Sequence, residues 1–459
     1  MTPRAGTPRR RRRGVRSVSV AARLPLASQA LVLTLALALV MRLLVSILGL
    51  PGILNFAFFP VLLFGVLISR PGRTLAESRI TRSIILVTLA VVASTLANFV
   101  NPLAAALLWA SLVTPFLLIR LAVTQGHRLG SVSTLDRLLT TFLFVQGGAI
   151  AFERFVLGQT SDAAQGFLRN QGAGHHVVGF IGVGTALYLA MRLIEEPAIR
   201  GRLSMYAAVL TGLAMGAITG TSQALLAGAV VGISYILTRR TPWPMAASLL
   251  VSSASIVTVF VTWSAFAPAG MNWYGDEFLE NKGQTASTIL EEYRDVPYQI
   301  FFGLGPGATA TKVAWTGADE FSGLTIALGI KPGQVAESLL AVERAKLPSR
   351  TSSLTSTWST WLGVWGDLGL FGLVGYAWAW LGIARSTLGP SRTHRAGMYL
   401  VLYLVVLGVF YNWLEEPVLT LFLGLAVADA TVRASQSRVD EESRGELHQY
   451  RPREDPSDT

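Results

Sequence analysis

The sequence predicts an all-α polytopic membrane protein of about twelve transmembrane helices, with one large extracytoplasmic loop between the ninth and tenth. Composition is the first ground: of 459 residues 51% are hydrophobic and only 14% charged, with a mean hydropathy of +0.49, too apolar for a soluble domain of this size. The second is pattern. The apolar residues form continuous runs rather than short alternating strands, and lipid offers backbone groups no partner outside a helix or a closed barrel. The third is charge, because basic connectors fall on every other side of these runs.

The net charge of +11 is scattered through connectors and the amino-terminal tail, so it points to membrane topology and not to nucleic acid. The absence of cysteine excludes disulfides and thiolate metal sites. Five histidines, at 127, 175, 176, 394 and 448, lack zinc-binding spacing, so no metal or other cofactor is expected.

Residues 1–23, with Arg9 to Arg13, read as a disordered cytoplasmic tail before an uncleaved signal anchor. Apolar segments follow near 26–48, 52–69, 83–100, 103–120, 138–156, 176–194, 204–219, 222–238 and 244–267, which makes residues 24–267 the first nine spans. The polar stretch 268–356 is the loop domain. Within it Asp276 to Tyr293 and Pro332 to Lys346 have the periodicity of amphipathic helices. Spans ten to twelve occupy 357–384, 397–413 and 417–432, and residues 433–459 read as a disordered tail. Basic connectors at 70–82, 120–137, 192–202, 239–240 and 385–395 share a side with the amino-terminal arginines. Both termini are therefore expected in the cytoplasm of a plasma-membrane protein, with the loop outside.

An external loop rich in cations, remote from ATP, suits a lipid-linked donor whose energy is already stored. Breaking a sugar–diphosphate bond needs preorganised cations for the leaving group and a base for the acceptor hydroxyl. Candidate diphosphate ligands are Arg169, in the short loop 157–175, and Arg294, Arg344 and Arg350 in the long loop. Candidate bases are His176, His175 and the loop carboxylate Asp319. Arg42 and Asp367 fall inside apolar runs, where an ionised group is costly; Arg42 reads as structural, snorkelling or paired internally, and Asp367 as a helix-locking partner with a catalytic base as the alternative. Glu415 and Glu416, ahead of Pro417, read as a helix boundary, with an acid facing the active cavity as the alternative. Trp358, Trp361 and Trp365 recur at helical spacing as belt or core residues, with sugar stacking as the sharper reading. Gly363, Gly366, Gly369, Gly372 and Gly375 suggest close helix packing.

Phe302-Gly-Leu-Gly-Pro-Gly307, followed by Trp365-Gly-Asp-Leu-Gly-Leu-Phe-Gly-Leu-Val-Gly375, resembles the paired glycine signatures of the O-antigen ligase and polymerase superfamily. Thr219-Gly-Thr-Ser-Gln-Ala-Leu-Leu-Ala-Gly-Ala-Val-Val-Gly232 is similar to the start of one of that family's helices. The resemblance spans the chain from about residue 140 onward. It implies a metal-independent membrane glycosyltransferase of the C type, acting on undecaprenyl-diphosphate-linked oligosaccharide in cell-surface polysaccharide assembly, with membrane lipid and other polysaccharide-assembly proteins as further partners. This sequence departs from the family where its His-Asn pair would fall, at Trp358-Ser359, and where its helix-start arginine would fall, at Gln223, which favours a polymerase-like or diverged transferase over a ligase; Trp358 and Gln223 are candidate substrate contacts. A flippase for a similar substrate and a non-catalytic export scaffold are the alternatives.

Overall fold

A computed structural model describes the chain except residues 1–24, 51, 70–73, 130–131, 170–173, 197–198, 200–201, 242–243, 267–272, 315–328, 331, 346–355, 390–393 and 450–459. Among the described residues every regular element is helical. Nine helices precede the loop: α1 (Leu26–Leu48), α2 (Phe59–Ile68), α3 (Leu75–Asn98), α4 (Pro102–Leu129), α5 (Val132–Ala151), α6 (Gly174–Glu195), α7 (Leu203–Ile218), α8 (Ser222–Thr238) and α9 (Pro244–Phe266). The loop contributes α10 (Trp273–Asp295), the single turn α11 (Gln299–Phe302) and α12 (Gln334–Ala345). Then come α13 (Thr360–Ser386), α14 (Ala396–Phe410) and α15 (Pro417–Gln449).

Seven described helices are long and apolar enough to cross a membrane: α1, α3, α4, α5, α6, α13 and α15. Four more apolar helices, ending at Ile68, Ile218, Thr238 and Phe410, are shorter. Local chemistry sets their ends. Thr74 caps α3 by accepting from the Glu77 backbone N–H at 3.3 Å, and Asn101 Oδ1 receives the Leu103 N–H at 2.8 Å to start α4. Gly49, at φ 62°, closes α1 in a left-handed turn.

Burial sorts the helices. In the apolar windows of α6 and α15, 83% and 89% of residues are buried, against 22% in α1 and 28% in α3. The first pair forms the centre with α4, while α1 and α3 present Leu33, Ile47, Leu89 and Leu96 outward. The tyrosine and charge knot at one end fixes the centre. Arg192 donates to Asp136 at 2.5 Å and to Glu196 at 3.1 Å, and Arg433 donates to Asp429 at 2.9 Å and Asp136 at 3.1 Å. Tyr188 donates to Asp429 at 2.6 Å. This knot ties α5, α6 and α15 together, and it accounts for one difference from expectation: α15 continues helically past Arg433, the residue at which the sequence predicts a tail. Arg438 extends the tie by donating to the Leu388 carbonyl at 2.7 Å.

At the other end, α10 and α12 pack with the start of α13 around a small core of Ile289, Tyr293, Val335, Leu339, Leu340 and Trp358. Lys282 holds this unit down by donating to the carbonyls of Ser356 (2.7 Å), Phe410 (2.9 Å) and Trp358. The segment after α11 is what places chemistry at this end of the bundle.

Candidate functional site

Two glycine signatures meet here. Gly303, Gly305 and Gly307 have φ of 75°, 105° and 82°, and Gly369 interrupts α13 with φ 67° and ψ −164°. A Cβ on Gly303 would lie 2.3 Å from the Asp367 carbonyl, and one on Gly369 would lie 2.4 Å from the Phe301 carbonyl, so the two backbones can approach only as glycine. The interruption of α13 leaves carbonyls that the loop uses: Leu304 N–H donates to Gly366 at 2.8 Å and Gly305 N–H to Asp367 at 3.1 Å. Ser94 of α3 also donates to the Asp367 carbonyl, at 2.6 Å.

The Asp367 carboxylate points into this loop. It accepts from the N–H groups of Gly307 (2.7 Å) and Thr309 (2.8 Å) and from the hydroxyls of Thr309 and Thr311 (both 2.7 Å). With four donors, the carboxylate is a lock for residues 307–311. The lock sets the position of the next residue, Lys312.

Lys312 meets the turn Trp413-Leu-Glu-Glu416. Its backbone N–H donates to Glu415 Oε2 at 2.6 Å, and its ammonium donates to Glu416. Glu416 also pairs with Arg42 from α1, whose Nε donates to the Leu168 carbonyl at 3.2 Å. Arg42, Glu415 and Glu416 are buried, whereas the Lys312 side chain is 27% exposed and opens the cluster to the outside. Among the described residues, Arg42 Nη2 and Glu415 Oε1 are buried with no hydrogen-bond partner. Such atoms are costly in a finished core and suit a site that receives a polar ligand.

The two glutamates respond oppositely to burial. For Glu416 burial pushes the pKa up, but the adjacent Arg42 and Lys312 charges overcome it and hold the carboxyl at about 2. For Glu415 burial drives the pKa well above the ordinary carboxylate range; the Lys312 N–H offsets this in part, and the charge of Asp367 adds to it. The cluster thus sets two basic side chains beside one carboxyl that burial biases toward its neutral form.

The same turn gathers several of the sequence candidates. Trp413 Nε1 donates to the buried Gln223 Oε1 at 3.2 Å, and its ring lies 5.5 Å from that of His176 and 4.7 Å from that of Phe180. The His175 ring lies 4.0 Å from that of His176, tilted by 37°, and its Nε2 is 3.8 Å from the exposed Asp162. Arg169, next to Leu168, donates to Glu153 at 2.8 Å and keeps 38% of its side chain exposed. Glu153 in turn accepts the N–H groups of Gln165 (2.8 Å) and Gly166 (2.6 Å), which shapes this short loop.

Other candidates lie elsewhere. Arg294 and Arg344 are exposed on α10 and α12, and Trp358 is buried in the core of the loop unit. Asp319 and Arg350 lie outside the described residues. Lys312 and Glu153 are not among the sequence candidates, and Glu415 and Glu416 read in the sequence first as a helix boundary. The signal for the glutamates was present: two adjacent acids in a short turn between apolar helices. Among the described residues no group of three or more His, Asp or Glu side chains converges as metal ligands would.

Fold and site together define a helical chain in which seven described helices are long and apolar enough to cross a membrane, with a buried cation–carboxylate cluster beside the segment after α11. No family model matches the chain, and no curated protein matches it.

Proposed function

We propose that the protein is a membrane glycosyltransferase that transfers or polymerises glycans carried on a polyprenyl diphosphate, in the assembly of a cell-surface polysaccharide. The carrying observation is the Arg42–Glu416–Lys312 cluster with Glu415 beside it, assembled by the interlock of the two glycine signatures. In this reading the chain crosses the plasma membrane about twelve times, with both termini cytoplasmic and residues 268–356 outside.

The diphosphate enters where Lys312 is exposed and Arg42 Nη2 has an open hydrogen-bonding position, with Arg169 as a further cation at the rim. The sugar C1–oxygen bond breaks and its electron pair leaves with the diphosphate, whose growing charge the cations stabilise. The acceptor hydroxyl oxygen bonds to C1, and its proton passes to the ionised Glu415. His176, Gln223 and Trp413 form the neighbouring wall, with polar edges and an aromatic face suited to a sugar ring.

The test is the surface-polysaccharide profile of a deletion strain complemented with wild type, Lys312→Ala or Glu415→Gln. Lost ladders on deletion, unrestored by either variant, support the reading; a normal profile in the deletion strain, or full restoration by both variants, sinks it. A lipid-linked glycan transporter is the second reading, favoured by the break in α13 at Gly369. It predicts movement of labelled lipid-linked glycan across vesicles containing only this protein.

A further inference from the structure

An apolar cleft of about 360 Å³ lies between α9, α13 and α14. Met245 and Leu249 of α9, Trp361, Val374 and Trp378 of α13, and Val405 of α14 form its walls. Two polar groups of the lining are spent internally: Trp361 Nε1 donates to the Val405 carbonyl at 2.9 Å, and Ser248 donates to the Pro244 carbonyl; Trp380 Nε1 is buried with no hydrogen-bond partner among the described residues. The outer lip is exposed, with Val374 at 61% and Trp378 at 55%, so the cleft opens sideways and not toward the charged end. A bound water needs two to four polar partners, more than this predominantly apolar lining offers.

The upper end of the cleft adjoins the charged cluster. Trp361 stands next to Thr360, whose N–H donates to the Tyr411 carbonyl at 3.3 Å and whose hydroxyl oxygen accepts the Leu414 N–H at 3.3 Å. The residue before the cleft thus clamps the turn that carries Glu415 and Glu416. The Trp361 ring also lies 5.6 Å from Tyr376, a buried side chain within the electrostatic reach of Glu415.

We propose that this cleft binds the isoprenoid chain of the carrier lipid; the inference rests on the transferase reading, because it takes the diphosphate end of the same molecule to lie at Lys312 and Arg42. A ligand with an anionic head and one long apolar chain is the chemistry that fills both features at once. Rigid tryptophan faces and the adaptable Met245 side chain suit a branched, unsaturated chain. At this volume the cleft, near the small end of ligand pockets, holds a segment of chain and excludes the head.

The test is native mass spectrometry of the purified full chain with undecaprenyl phosphate, and with dioleoyl phosphatidic acid, which shares the phosphomonoester head but carries acyl chains. Ala377→Trp and Leu249→Trp fill the cleft from positions already exposed, so they disturb packing little; Leu89→Trp, outside the cleft, is the control. The expected result is wild-type preference for undecaprenyl phosphate, with each filling variant weakening it about tenfold and the control unchanged. If both filling variants bind undecaprenyl phosphate as wild type does while Lys312→Ala loses it, the cleft assignment is wrong and the head site stands. If the filling variants weaken both lipids equally, the cleft is a general lipid-chain groove and the isoprenoid assignment falls. Wild type that shows no preference for undecaprenyl phosphate overturns the transferase reading along with it.

Discussion

Glu415 and Glu416 are chain neighbours, both buried, yet their carboxyls are shifted in opposite directions by what each one faces. Glu416 is ionised in the fold down to about pH 2, against 4.5 for an ordinary glutamate. Its contribution to stability is therefore present above 4.5 and is lost as pH falls from 4.5 toward 2. Glu416→Gln is expected to lower the melting temperature at neutral pH, since Arg42 and Lys312 lose their shared partner at a cost of about 3–5 kcal/mol. It should also flatten the acid limb of the stability curve, and an unchanged acid limb would remove the pairing from the account. Glu415 works the other way. Its raised pKa favours the neutral carboxyl, so its stabilising effect is complete below the ordinary value of 4.5 and declines as pH rises. As a base it must be ionised, so transfer should accelerate as pH climbs above the usual carboxylate range. Glu415→Gln should slow transfer by about 10²–10⁴ and abolish that pH dependence; an identical pH–rate profile in the variant would assign the proton to another group.

At the scale of elements, the helix–loop interlock is the feature that the sequence displayed and that periodicity misread. Glycines at 363, 366 and 369 look like a small face for a neighbouring helix, but a Cβ at these positions would meet Ala310, Thr309 and Phe301 of the loop. Close approach was legible; its partner was not, because a backbone loop leaves no helical period in the chain. The apolar runs were easier to read, and a helix lies in each of them, because lipid-facing and core-facing residues are both apolar and so mark an element without marking its neighbours. The site was legible in part. Arg42 stood out as a cation in an apolar run, whereas Lys312 resembled any loop lysine until Asp367 fixed the preceding turn. Asp367→Ala should therefore strand several buried donors, costing at least about 3 kcal/mol, and displace Lys312 as well. Gly369→Ala should produce the same phenotype from the backbone side, read as faster proteolysis within 299–314 and a lower melting temperature. If Gly369→Ala melts and resists protease like wild type, the interlock does not hold the loop.

For the whole molecule, the two charge assemblies divide the bundle into unlike ends. Arg192 and Arg433, with three carboxylates, bind α5, α6 and α15 at the knot end and leave only Asp429 Oδ1 of the knot's described atoms unpartnered, while the loop end leaves Arg42 Nη2 and Glu415 Oε1 so. Helix α6 connects the ends, running about 27 Å from Gly174 to Arg192, close to the thickness of a hydrocarbon core. A donor carried in one leaflet can reach only one of these ends, so the transferase reading requires the loop end to face outward. The chain has no cysteine, so single cysteines can be introduced without a background. Arg294→Cys and Arg344→Cys lie on exposed positions of the loop unit, and Val439→Cys lies on the exposed far end of α15. A membrane-impermeant maleimide added to intact cells, or to spheroplasts where an outer layer blocks access, should label the first two. Val439→Cys should react only after permeabilisation. Labelling of all three from one side would put the knot and the cluster in the same compartment, which a bundle of this length crossing the membrane does not permit. Labelling of Val439→Cys alone would invert the chain and turn the cluster toward the cytoplasm, away from the glycans that the transferase reading requires.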